Sequence, residues 1–355
     1  MQTPRIALSR AAPLIVLALA ACSDPQPAGM TAAETRQNLN AIQLHATSVL
    51  GDAGAGQLAG ILNGIDTSSV LVLGAQLPRG IYEYDHVTDT WTLLGASEDL
   101  ELRWSVEPSG EDATLLIDWD ATAATVVRDL VGGEVVELPQ GSSAQVKVDG
   151  AVVADFDQTA TWPVNDCGYL SEPGTFYVSG TAVEAAATLV VDETGVSVTS
   201  SGDHLSAQSH GGLELSSSAG RAWLDWTAGL DLSVVRDETT CAVTDGDVES
   251  GHVSFDFGVE SDTDHASVGF ATNFDVITPQ APGEKLALGL SGGRLSLNGM
   301  LAVTWAGVLD DANGNGVPGE NLTLTFADGS MSLEEFLLEH YAGLSWGMRV
   351  AGALR

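Results

Sequence analysis

The most specific local pattern of oxygen-bearing side chains in this sequence is Asp311-Ala-Asn313-Gly-Asn315-Gly316. Oxygen donors stand at its first, third and fifth positions, with glycine at the sixth. Calcium takes six to eight oxygens, and this spacing curls three of them around one point. Glu320 or Asp310 would complete the set. The twelfth position is Leu322, Pro318 interrupts the run, and the flanks read as strands. A hairpin loop rich in Gly and Asn carries the same residues for backbone reasons alone, so both readings stand.

The spacing resembles the first half of an EF-hand calcium loop, whose bidentate glutamate has no counterpart at Leu322. A second motif, Gly289-Leu-Ser291-Gly-Gly293, matches the G-x-S-x-G of α/β-hydrolases, and Asp310 or Asp311 and then His340 follow in that family's order. The resemblance implies a serine esterase at Ser291. That chemistry needs a strand, a sharp elbow and a helix. Here Leu286 to Gly289 and Arg294 to Leu297 read as two strands, which favours a Ser-Gly-Gly hairpin turn.

Carboxylates two residues apart, Asp118 with Asp120 and Asp155 with Asp157, would share a strand face, a pairing that glycoside hydrolysis could use. Among 48 acidic residues such pairs arise by chance, so solvated faces are expected. The histidines are scattered. His204 and His210 near Asp203, and His265 near Asp262 and Asp264, lack metal-ligand spacing. Trp104, Trp119 and Trp226 fall inside alternating strands and are expected in the core. Trp91, near a hairpin tip, is the ring best placed to stack on a sugar.

The amino terminus determines the compartment. Arg5 and Arg10 precede an apolar run, Ala11 to Ala21, and small residues lead to Cys22. This is the pattern of a secretory signal peptide, and the run is too short to span a bilayer. Leu19-Ala-Ala-Cys22 resembles the lipobox of bacterial lipoproteins. The resemblance implies that Cys22 is acylated and becomes the first residue of the mature chain, anchored in a membrane by several acyl chains. Ser23 stands where many inner-membrane lipoproteins carry a retaining aspartate, which implies the outer membrane of the cell envelope.

Export gives the other two cysteines a meaning. Cys167 and Cys241 form a single pair in a compartment where disulfides persist, and a bond between them is expected. Two buried thiols or half a metal site are the alternatives, but no CxxC or nearby histidine supports a metal. The formal net charge is −35, and two of the 13 bases lie in the leader. Such a surface repels nucleic acid and anionic headgroups. The expected partners are the membrane through Cys22, and an envelope protein, a glycan or an apolar ligand.

The elements follow from periodicity. Residues 1–21 are the leader, and 22–30, with Pro25, Pro27 and Gly29, a lipidated tether. Residues 31–66 form a helical segment, opened by the capping box Thr31-Ala-Ala-Glu34, with a second turn around Leu58 to Ile65. From residue 67 the apolar period becomes two, with Gly, Ser and Asp between short strands. A corner at Trp162 to Asp166 separates a first β half, 67–163, from a second, 164–355. The second ends in a short helix, Leu333 to His340, and a strand carrying Leu344, Trp346, Met348 and Val350. The fold class is mainly β: a large antiparallel sheet architecture, as a sandwich or an incomplete, curled barrel, with an N-terminal helical segment and a short C-terminal helix. A non-enzymatic binding or scaffolding lipoprotein fits best. A carrier holding an apolar ligand in an unclosed sheet is the alternative, with an empty cavity as its mark.

Overall fold

The computed structural model describes residues 29–52, 79–88, 90–106, 110–119, 124–128, 135–170, 174–184, 187–218, 220–278 and 287–340. Helix α1 (Ala32–Asp52) precedes β1 (Gly80–Asp85), β2 (Thr90–Gly95), β3 (Leu100–Val106) and β4 (Glu111–Trp119). A separate hairpin, β5 (Ala124–Arg128) and β6 (Val135–Pro139), follows. Then come β7 (Gly141–Val148), β8 (Ala151–Thr161), β9 (Thr175–Glu184), β10 (Ala187–Ser201) and β11 (His204–Ser217). The two longest strands, β12 (Gly220–Arg236) and β13 (Val243–Glu260), come next, and β14 (His265–Ile277) follows them. The chain finishes with β15 (Ala287–Leu297), β16 (Met300–Leu309), β17 (Leu322–Phe326), β18 (Gly329–Ser332) and helix α2 (Leu333–His340).

Sixteen of the strands make one sheet, with β18 at one edge and β2 at the other. Among the described residues the sheet does not close, so the large antiparallel sheet expected from sequence is one unclosed layer of strands rather than a sandwich. Neighbours are antiparallel except β1 and β3, which run parallel. From β7 to β18 the order is a plain meander, because almost every strand returns beside its predecessor. Asp149 and Gly150 take positive φ, 48° and 80°, as the two-residue turn between β7 and β8 requires.

The register aligns one apolar row across eleven strands: Tyr82, Leu102, Leu115, Val146, Ala154, Ala182, Leu189, Leu215, Ala222, Val259 and Ala266. One face is therefore apolar along the sheet, and two cores form on it. The larger unites Phe270, Leu295, Leu297, Val303, Trp305 and Leu324 with Met30 and Ile42 of the N-terminal segment and Leu333, Phe336 and Leu337 of α2. Helix α1 lies across β12 to β16. Thr31 accepts from the Glu34 amide and Glu34 accepts from the Thr31 amide, so the expected capping box forms. The smaller core gathers Tyr82, Leu100, Leu102, Trp104, Ala113 and Leu115. Burying each such leucine contributes roughly 1.5–3 kcal/mol.

Glycines inside the long strands meet aromatic rings. Phe156 lies over Gly180, Tyr177 over Gly195, Trp226 over Gly211, Trp223 over Gly258, and Phe274 over Gly251. Each pair is a direct cross-strand partnership. The glycine makes room for the ring, and the ring covers the backbone beside it.

This corrects the segmentation expected from sequence. Ala187 to Val191 and Val196 to Ser200 are one strand, β10, bulged between Asp192 and Gly195. Ala222 to Trp226 and Leu230 to Val235 are likewise one strand, β12. Glycines that read as turns are seats for rings inside long strands. The second helical turn at Leu58 to Ile65 and the last strand at 344–350 lie outside the described residues.

Candidate functional site

The face opposite the helices is polar. Pairing aligns Asp192, Gly212, Asp225, Asp256, Gly269 and Ser296 in one row across β10 to β15. An open groove of about 910 Å³ runs beside this row, lined among others by Thr227, Ser254, Arg294 and Thr304. A second groove of about 440 Å³ continues past Asp225 to Glu214, Arg221 and Trp223. Asp225 is held above the ordinary carboxylate range, first by burial and then by the charges of Asp256, Asp192 and Glu214. The glycines of the row matter here: a Cβ at Gly212 would stand 2.8 Å from an Asp225 oxygen.

Trp223 closes one side of the groove. Its indole N–H donates to Asp256 at 3.2 Å. The Arg221 guanidinium sits 5.0 Å from its ring centroid, and His265 stacks beside it at 5.7 Å. Arg221 also meets Glu214 at 3.3 Å and Glu260 at 3.1 Å. The surface therefore offers carboxylates, hydroxyls and an aromatic ring along an open channel. It suits recognition of an extended polar or cationic partner more than enclosure of an apolar one.

The Asp311 loop joins β16 to β17 and is drawn in by two glutamates. Glu320 accepts from the backbone amides of Ala312 and Asn313, at 3.3 and 2.7 Å. Glu334, in the first turn of α2, accepts from the side-chain NH2 groups of Asn313 and Asn315. Asp311 accepts from the Gly316 amide at 3.3 Å. The asparagine oxygens take the amides of Asn315 and Val317, while Asp310 is held by Asn321. The structure thus brings Asp311, Asn313, Asn315 and Glu320 into one loop and adds Glu334, which the sequence reading did not include. Every donor is a hard oxygen of the kind calcium prefers. Among the described residues no three of His, Cys, Asp and Glu group tightly as ligands, so the asparagine oxygens would have to turn inward to share an ion.

Cys167 and Cys241 are bonded, with Cα atoms 5.7 Å apart. The bond ties the β8–β9 corner to the β12–β13 connection. Asn165 donates to the Thr240 carbonyl beside it, and Arg236 donates to the Cys241 carbonyl and the Ser200 hydroxyl. Ser291 lies within β15, opposite Asn273, where the register shifts next to Gly292. The hairpin turn expected there is a bulge in one strand, and strand rather than helix continues after the serine. Trp91 is half-buried and packs on Tyr84 at 5.0 Å, so the ring favoured for sugar stacking belongs to the smaller core. His265 faces Trp223 rather than a metal set. Cys22 lies outside the described residues.

No protein-family model, no curated protein and no solved structure matches this chain. The reading of the site therefore rests on its own geometry. The acidic row was hidden in sequence because its members stand on separate strands, and only the register of the intervening turns aligns them. Tight turns such as Ser217 to Gly220 were the signal that fixes Gly212 against Asp225.

Proposed function

We propose that this chain is a lipid-anchored protein of the cell envelope with a non-enzymatic binding or scaffolding role. The observation that carries the reading is the unsheathed polar face, an open row of Asp192, Asp225 and Asp256 flanked by Trp223. A helix covers the other face over a filled core, which supports a packed layer rather than a lid over an apolar ligand. The lipobox-like Leu19 to Cys22 supports export and acylation. Among the described residues no helix is long and apolar enough to cross a membrane. The test replaces Asp192, Asp225 and Asp256 together by Asn in the full chain and measures titration with a lysine-rich peptide and with a soluble glycan. Binding that depends on the three carboxylates supports the reading. Equal binding with and without them removes the face from it.

A second reading concerns the Asp311 loop, which we assign to calcium through Asp311, Asn313, Asn315, Glu320 and Glu334. The gathering of Glu320 and Glu334 onto the loop favours it. Calorimetric titration with calcium, against Glu334→Gln, tests it.

A further inference from the structure

The first described residues are pinned to one edge of the sheet. The Gly29 amide donates to the Leu301 carbonyl at 2.8 Å, and the Ala327 amide donates to the Met30 carbonyl at 2.8 Å. A Cβ at Gly29 would lie 3.2 Å from the Met300 side chain. The chain therefore enters between two turns, β15 to β16 at Asn298-Gly299 and β17 to β18 at Ala327-Asp328.

The antiparallel meander makes the two ends of the sheet unequal. Among the described residues, the entry edge holds only short connections, 149–150, 261–264, 298–299 and 327–328. None contains Lys or Arg. On the opposite edge lie the two-residue turn 202–203 and the longer connections: the β5–β6 excursion, the corner with Cys167, the 237–242 connection with Cys241, and the Asp311 loop. Helix α2 begins there too.

We infer that the short-turn edge around Met300 faces the membrane carrying the lipid anchor, and that the long-loop edge stands away from it. The inference rests on the lipoprotein reading of Cys22. Cys22 precedes Gly29 by seven residues, a reach of at most about 25 Å at roughly 3.5 Å per residue. Strand β16 has 10 residues and carries the chain about 33 Å from Met300 to the Asp311 loop. The tether is thus shorter than the strand, and the lipid reaches the long-loop edge only if the sheet lies flat. Lying flat on the polar face would press Asp192, Glu214, Asp225, Asp256 and Glu260 against headgroups, where anionic lipids repel them. Lying flat on the other face would press the exposed Glu34, Arg36, Gln37 and Asn40 of α1 against the bilayer, where charged and polar side chains gain nothing. The arrangement left is upright, with the short turns nearest the surface and the disulfide corner and Asp311 loop presented outward.

The experiment uses the full chain, produced with its leader in a bacterial host and purified with its acyl groups. Met300→Cys and Ala312→Cys place a fluorophore at the two ends of β16, and Thr263→Cys gives a second short-turn position away from the Gly29 contact. With Cys22 acylated and Cys167–Cys241 bonded, each introduced thiol is the free one. The labelled proteins are bound to vesicles of mixed zwitterionic and anionic lipid whose headgroups carry a nitroxide quencher. The inference expects loss of fluorescence at 300 and 263 and none at 312. Equal loss at all three, or loss at 312 alone, overturns the orientation while the lipoprotein reading stands. A chain without acyl mass that does not float with vesicles overturns the lipoprotein reading, and the orientation with it.

Discussion

The indole of Trp223 lies across Gly258 of the neighbouring strand, so closely that a Cβ at residue 258 would stand 1.9 Å from the ring. The two are register partners between β12 and β13. A ring seated on a glycine covers the backbone beside it. Gly258→Ala should therefore displace the indole and its hydrogen bond to Asp256, at a cost of about 1–3 kcal/mol for an overpacked site. Gly95→Ala is the control, since nothing lies within 4 Å of its Cβ position. Thermal unfolding of the two variants reads the difference, and equal midpoints would contradict the pairing.

The Cys167–Cys241 bond closes a loop spanning 74 positions. Cross-linking a loop of that length restricts the unfolded chain by about 4 kcal/mol on the loop-entropy argument. A Cys167→Ser, Cys241→Ser double variant should unfold at lower denaturant by that amount, with the slope increased because its unfolded state is more open. An unchanged midpoint would mean that the corner carries no cross-link in solution.

Asp225 and Asp237 predict opposite responses to pH. Burial and the facing carboxylates raise the Asp225 pKa above the ordinary 3.8. Its ionisation therefore costs stability above the folded value, and the cost vanishes as pH falls below 3.8. Like charges directly opposed on a sheet are destabilising, so Asp225→Asn should raise stability at pH 7 and change nothing near pH 3.5. Asp237 accepts from the backbone amides of Thr240 and Thr239 and from the Thr240 hydroxyl, which lower its pKa. Its contribution is present above 3.8 and is lost as pH falls through the depressed folded value. Asp237→Asn should lose stability at pH 7 and show no difference in strong acid. Melting curves across this range decide both signs.

Calcium should raise the melting midpoint of the chain and leave Glu334→Gln and Asp311→Asn unmoved. At a calcium concentration one hundred times the dissociation constant, the linkage gain is about 2.7 kcal/mol. Identical melting with calcium and with chelator would leave the loop as a hydrogen-bonded turn.

Much of the fold was legible because alternation survives in the sequence. Leu100, Leu102 and Trp104 read as one face and are buried together. Asp149-Gly150 read as a hairpin and takes the required positive φ. Strand length was not legible, because Gly211-Gly212, Gly229 and Gly292-Gly293 look like turns until the ring or bulge that explains them is in place. The candidate site was half legible. Asp311, Asn313, Asn315 and Glu320 are local in sequence, whereas Glu334 arrives through α2. Asp192, Asp225 and Asp256 meet only through the register of strands far apart in the chain.

Whether lipid at Cys22 holds this open sheet to the envelope is decided by intact mass spectrometry of the protein extracted from membranes. The expected product is a chain that begins at Cys22 and carries acyl mass, with Cys22→Ser remaining uncut and unacylated. A chain cut elsewhere without acyl groups, or the full precursor in both proteins, would contradict that anchoring.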